Sequence, residues 1–193
     1  VEDFISSMAE ANNISLDQFM LWYSQAGTPQ VMAKVDYNKK KQEATLTFNQ
    51  VIPKTPGQTG KKPHHLPVKL GLIDKNGKDI KLKASEKAPF SDDLFHLTKR
   101  EQKIIFTGIK EKPVPSLFRD FSAPVQLNIS QSEKDLEFLA GNDSDLFNRW
   151  QASQTYATNL LVQLEKIAAA GKKSRKGAKL AKILDNVLRD DQL

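Results

Sequence analysis

The chain is expected to be a mainly β protein, an immunoglobulin-like antiparallel β-sandwich of about seven strands flanked by N-terminal and C-terminal α-helices. Three observations predict it. From Gln30 to Ser130 apolar residues recur at every second position, the period of a half-buried strand. Before Gln30 and after Ser132 the period lengthens to that of an amphipathic helix. Of nine prolines, four lie from Pro53 to Pro67 and none follows Pro124, so the breakers crowd the strand region and spare the C-terminal helices.

Asp3, Phe4, Met8 and Ala11 give the first helix, which Asn12-Asn13 interrupts. Ser15-Leu16-Asp17-Gln18 has the capping-box pattern and opens a second, with Phe19, Trp22 and Tyr23 on its apolar face. Gly27 stops it by taking a left-handed conformation, and Pro29 favours extended chain beyond. Val31, Ala33, Val35 and Tyr37 then pair with Ala44, Leu46 and Phe48 as an antiparallel ladder. Leu66, Val68, Leu70 and Leu72 make a third strand. Asp74-Lys75-Asn76-Gly77 turns the chain into a short fourth at Ile80 and Leu82. Phe95 to Leu97, Ile104 to Thr107 and Val125 to Ile129 complete the count. Pro53 to Pro67 reads as an ordered surface connection. Leu136, Phe138 and Leu139 place a short helix that ends near Gly141. A longer one, capped by Asp143 or Ser144, carries Phe147, Trp150, Leu160, Leu161, Leu164 and Ile167. A last helix with Leu180, Ile183, Leu184, Val187 and Leu188 inward closes an αα-hairpin.

With 193 residues, 39% hydrophobic and 27% charged, the composition suits an ordinary folded chain. Its net charge of +6 would suit a nucleic-acid binder, but seven bases and no acid fall between Lys166 and Lys182, leaving the remainder close to neutral. Lys172-Lys173-Ser174-Arg175-Lys176 lacks interleaved aromatics and reads as a solvated hinge between helices, not a phosphate contact. No apolar run approaches the roughly 20 residues of a membrane span, so no nucleic-acid or membrane partner is expected. Zero cysteines exclude disulfides and thiolate metal sites and point to a reducing, cytoplasmic setting. The start at Val1 inside a helix suggests a piece cut from a longer chain.

Four blocks of sequence stand out in order: Trp22-Tyr23-Ser24-Gln25-Ala26-Gly27-Thr28-Pro29; Gln50 to Gln58 with Pro63, His65, Pro67 and Val68; Lys112 to Val125; and Phe147-Asn148-Arg149-Trp150 with Gln154. Together they resemble the non-catalytic middle of the bacterial aminopeptidase N family. The resemblance implies a parent enzyme that removes N-terminal amino acids from peptides with the help of zinc. Residues 1–29 would then be the helical end of a catalytic domain, 30–130 a β-sandwich linker, and 131–193 the first helices of a C-terminal helical domain. The implied partners are those two domains, reached within the same polypeptide. Its junction residues would be Trp22, Tyr23, Gly27, Pro29, Pro113, Pro115, Arg119, Phe121, Pro124, Arg149 and Trp150. His64 departs from the family, which usually has an apolar residue there.

The family's chemistry needs a His-Glu-x-x-His helix, a distant Glu, a Gly-Ala-Met-Glu-Asn segment and an oxyanion-stabilising Tyr, and this sequence contains none of these assemblies. No cofactor or catalytic residue is therefore expected of the chain itself. Three protein ligands and an open position are the minimum for hydrolytic zinc, whereas the sequence offers His64, His65 and His96, two of them adjacent, which read as surface residues. Ser116 and Ser122 have no histidine placed to activate them. The pairs Asp92-Asp93 and Asp190-Asp191 read as solvated turns or helix ends. Arg119 reads as a structural residue, stacking on an aromatic or holding a carbonyl. The expected function is a structural linker; the alternative is a stand-alone immunoglobulin-like binding module.

Overall fold

Alternation in the sequence becomes alternation in space along two facing sheets. A computed structural model describes residues 1–85 and 88–172, together with Ala181 and Asp185. Its elements are α1 (Glu2–Asn12), α2 (Leu21–Ser24), β1 (Gln30–Asn38), β2 (Glu43–Val51), β3 (Leu66–Ile73), β4 (Phe90–Ser91), β5 (Leu94–Leu97), β6 (Glu101–Thr107), β7 (Val114–Leu117), a 3-10 turn (Arg119–Phe121), β8 (Gln126–Ile129), α3 (Glu133–Asn142) and α4 (Leu146–Ala169). One sheet has the order β6-β2-β1-β8 and the other β4-β5-β3-β7.

β1 and β2 pair antiparallel from Gln30↔Val51 to Asn38↔Glu43. Ala44, Leu46 and Phe48 face inward with Val31, against Leu66, Val68, Leu70 and Leu72 of β3. Phe48 stacks on Phe95 with ring centroids 5.5 Å apart, and Phe90 meets Phe106 edge-on at 5.2 Å. Val35 and Leu127, also expected inside, are half-buried at the margin of this core. A second cluster forms where Ile73 meets Leu136, Leu139, Ala152, Tyr156 and Leu160 of α3 and α4. Two caps fix these helices: Ser132 and Asp135 exchange backbone-to-side-chain bonds at 3.1 and 2.9 Å, and Asp145 accepts from the Asn148 amide at 2.8 Å.

The mainly β expectation is corrected. Of the described residues 31% are helical and 30% are in strands or bridges, so two four-stranded sheets and their flanking helices share the structure about equally. The excess helix comes chiefly from α4, whose 24 residues form one unbroken rod. Among the described residues eight strands form where about seven are expected, and β1 pairs with β8 in parallel, from Gln30↔Gln126 to Ala33↔Ile129. Ile80 and Leu82 do not make a strand. Asp74 Oδ1 captures the amides of Asn76 and Lys78, at 2.8 and 2.9 Å, and beyond this turn only isolated bridges form. β7 was hidden by Pro113 and Pro115; a proline is tolerated there because β7 is an edge strand. The Ser15-Gln18 capping box does not form: Gln18 reaches across to Pro63 O and Thr98 O, and α2 shrinks to four residues. Asp145, rather than Asp143 or Ser144, caps α4. The expected last helix and most of the basic run lie outside the described residues.

Candidate interdomain junctions

Where the N-terminal helices meet the sandwich, polar side chains close over the loop between β2 and β3. Lys61 is buried, and its ammonium donates to three neutral oxygens, Ala26 O at 2.5 Å, Pro53 O at 2.7 Å and Thr55 Oγ1 at 2.7 Å. Three donors thus meet three acceptors, which is what lets the charge stay inside. Gln25 reads the backbone of Lys62 with both ends of its amide, at 2.7 and 3.0 Å, and Gln50 does the same for His64, at 2.9 and 3.0 Å. Gly27, at φ 100°, presents a face on which an added Cβ would sit 3.2 Å from Pro53 Cγ.

His64 is fully buried, which corrects the expectation of a surface histidine. Its ring stacks on Trp22 at 4.5 Å and 13°, and its Nε2 lies 3.2 Å from Leu21 O. Trp22 in turn donates Nε1–H to His65 O at 3.3 Å. His65 Nε2 and His96 Nδ1 are 2.8 Å apart, so one of the two rings donates and the other accepts. His64 and His65 therefore pin α2 to the sandwich, and His96 holds the His65 ring. Burial, with the nearby Lys61 charge, pushes the His64 pKa down against the pull of Leu21 O; burial and His96 lower that of His65. Because the folded values lie below the unfolded value of about 6.5, stability is complete above that pH and declines as pH falls toward the folded values. Urea midpoints measured by circular dichroism should accordingly drop between pH 7.5 and 5, and His64→Leu should reduce the drop. A pH-independent midpoint would show that the histidines do not couple to folding.

Where α3 and α4 meet the sandwich lies Arg119, whose guanidinium sits against Gly71 so closely that a Cβ there would come within 2.3 Å of Cζ. Arg119 Nε donates to Ser116 Oγ at 2.8 Å, and NH2 donates to Asp79 at 2.7 Å and Asp143 at 3.3 Å. Among the described residues neither an aromatic ring nor a carbonyl holds it; two carboxylates and the Ser116 hydroxyl do. Asp143 has no exposed side chain, and burial raises its pKa despite Ser116, the Asp145 amide and Arg119. Burial alone would raise Asp79 as well, but bonds from Arg119 and Ser144 outweigh it and leave that carboxyl low. Ser116, proposed neither as nucleophile nor as part of a triad, also accepts from Asn148 Nδ2 at 2.8 Å, while Asp145 Oδ2 accepts the Asp120 amide at 2.8 Å. The sandwich and α4 are thus tied by one polar cluster.

Left-handed backbone at Phe118, Asp120 and Phe121, with φ of 56°, 54° and 51°, turns Arg119 inward and Phe121 outward. Such conformations cost a non-glycine residue energy that the cluster must offset. Phe121 is 56% exposed and meets Phe147 edge-on at 5.4 Å, with Trp150, 55% exposed, 5.9 Å beyond. Tyr23 is 60% exposed and touches Phe19 at 6.1 Å. Pro29 is buried and its carbonyl accepts the Gln126 amide; Pro113 is buried, Pro115 half-buried and Pro124 exposed. Arg149 is half-buried on α4. The sequence thus singled out Trp22 and Arg119 but missed Gln18, Gln25, Gln50, Lys61, Asp79, Asp143 and Asp145. Asx and Gln residues carry no local signal of a partner 14 to 80 positions away.

Among the described residues no group of three or more His, Cys, Asp or Glu converges as a metal site. The residues present do not fit the zinc of the resembled family: the three histidines serve Trp22, Leu21 O and one another, and two of them share one hydrogen bond. Among the described residues no helix is long and apolar enough to cross a membrane.

Over residues 27–130 the chain matches the family described as Domain of unknown function (DUF3458), Ig-like fold, and over residues 133–193 the one described as DUF3458_C, ARM repeats. It is 40% identical over 154 residues to an aminopeptidase N of Escherichia coli (strain K12), covering 80% of this chain and 18% of that protein. An aminopeptidase N of Haemophilus influenzae is 38% identical over 153 residues, covering 79% and 17%. The crystal structure of Legionella pneumophila aminopeptidase A in complex with aspartic acid superposes with a TM-score of 0.78 at 26% identity, covering all of this chain and 20% of that one. The chain spans about a fifth of the length of these proteins. These matches to bacterial aminopeptidases also correct the cytoplasmic expectation, which conflicts with them. An absence of cysteine in a fifth of a protein does not set the compartment of the whole.

Proposed function

Since this chain belongs to the aminopeptidase N family and corresponds to its non-catalytic Ig-like and ARM-repeat region, we propose that it acts as a spacer holding two larger neighbours in register. The longer protein would remove N-terminal residues from peptides at a zinc site in its catalytic domain. Residues 1–29 would complete that domain, 30–130 form the linker, and 131–193 begin the helical domain. One observation carries the reading: Arg119, fixed over Gly71 on β3, is bonded to Asp143 at the approach to α4, a tie that would make sheet and helices move together. Trp22, Tyr23, Gly27 and Pro29 would do the same at the other end, and Phe121, Arg149 and Trp150 would face the helical domain. Pro113, Pro115 and Pro124 would stiffen the backbone that carries Arg119.

Two measurements test this. In the longer protein, six Gly/Ser residues inserted between Ser130 and Gln131 should lower kcat/KM at least tenfold at unchanged zinc content, because a flexible joint no longer fixes distance. Unchanged kcat/KM would overturn the spacer reading. The 193-residue chain alone should neither retain zinc at one per chain nor cleave an aminoacyl anilide, having no assembled ligand set and base. A tightly held zinc whose removal abolishes a measurable rate would place chemistry here.

A further inference from the structure

Among the described residues β8 is paired on one side only. It pairs with β1, and Gln126 donates its amide to Pro29 O at 2.9 Å. By the alternation of backbone groups along a strand, the N–H and C=O of Leu127 and Ile129 point away from β1, off the sheet. They open into a groove of about 650 Å³ whose one wall is the unbroken run from Val125 to Gln131 and whose other is α4, through Phe147, Asn148, Gln151 and Thr155. Phe147, Gln151 and Thr155 follow one another at intervals of four and so form one face of the helix. Among the described residues that line the groove not one is charged, in a chain where 27% are. Phe121 stands exposed at its rim.

We infer that this groove seats an extended, uncharged segment of the same polypeptide from outside these 193 residues, added to the sheet as a fifth strand along β8. Leu127 and Ile129 would supply the backbone hydrogen bonds, and the α4 face would cover the side chains of the added strand. An unpaired strand edge is otherwise a liability, and strand addition is the mode by which such an edge takes a peptide. The four residues of β8 offer about 13 Å of edge, at ~3.3 Å per residue. Chemistry and tethering select the occupant. An uncharged lining disfavours a charged peptide, and about four-fifths of the relatives' length lies outside the matched region. A tethered segment competes at an effective concentration in the millimolar range. A second copy is the poorer fit, since its own β8 is walled by its own α4. This inference rests on reading the chain as an internal part of a longer protein.

The test places the photo-crosslinking residue p-benzoylphenylalanine at Gln151 in the longer protein and maps its products by mass spectrometry. Cross-links to one segment outside the 193 residues are expected. In parallel, the amides of Leu127 and Ile129 should exchange at least tenfold slower in the longer protein than in the 193-residue chain, a comparison that needs no substitution. Products confined to the 193 residues, products of doubled mass that mark a second copy, or equal exchange rates would each overturn the inference. The Gly/Ser insertion separates the two ideas. Loss of the cross-link with the insertion effect intact removes the fifth strand alone, whereas an inert insertion with the cross-link intact removes only the spacer reading.

Discussion

Arg119→Met is expected to destabilise the chain by about 3–5 kcal/mol, the usual cost of removing one partner from a buried ion pair. Methionine retains much of the packing of the stem, so the loss falls on the charge. Asp143 would be left buried, its Oδ2 already without a hydrogen-bond partner and its Oδ1 deprived of the guanidinium. Asp79, 42% exposed, can turn to water and should add little. Urea unfolding followed by circular dichroism measures the change, and Asp143→Asn in the same background should recover part of it. Gly71→Ala approaches the same cluster from below. Its Cβ would collide with the guanidinium, which lies 2.3 to 2.4 Å from the ideal position. Since both changes dismantle one cluster, the double variant should lose less than the sum. Strict additivity, or a loss below about 1 kcal/mol in Arg119→Met, the range of an exposed pair, would show that the cluster does not hold the junction.

Leu70→Ala should cost about 2–5 kcal/mol, as large-to-small changes in a close-packed core do. Leu70 is fully buried midway along β3, where the strand changes partners: Leu66 to Lys69 pair with β5, and Leu70 to Ile73 with β7. A cavity there would be felt by both ladders and by the core cluster that Leu70 shares with Phe48 and Phe95. Little collapse is open to it, because the Leu70 amide is held to Asp93 O at 2.9 Å. The position in the range depends on that rigidity, and the same urea titration reads it. A cost under 1 kcal/mol would mean that the two sheets are not packed against each other here.

What could be read from the sequence was what repeats. Ala44, Leu46 and Phe48, or Leu66, Val68, Leu70 and Leu72, declare their buried face by alternation, and the structure buries each of them. Where periodicity was weak, the reading failed at particular residues. Phe4 and Met8 set the helical period of α1, yet both are exposed and Ile5 is the residue buried. Two prolines concealed β7, and two residues were too few to reveal β4. The junction clusters were hidden for a different reason. Gln18 reads in the sequence as half of a capping box, and nothing within four residues announces that it bonds to Thr98 instead. Likewise Lys61 reads as a loop lysine until Ala26, Pro53 and Thr55 surround it. Arg119 was noticed as structural, but its partners Asp79 and Asp143 lie 40 and 24 positions away on opposite sides in the chain.

The parallel seam between β1 and β8 also bears on how the protein is made. Gln30 and Gln126 are 96 positions apart, so β1 leaves the ribosome long before its second neighbour exists. At about 5–20 residues per second, the wait is roughly 5–20 s. Even if β1, β2 and β6 pair in that time, the other edge of β1 has no β8 to meet until residue 129 has emerged, since closing so long a loop precedes any contact that rewards it. For that interval the nascent chain exposes a template for pairing with another nascent chain, and the order of synthesis, more than the stability of the finished fold, decides whether the right strand arrives first.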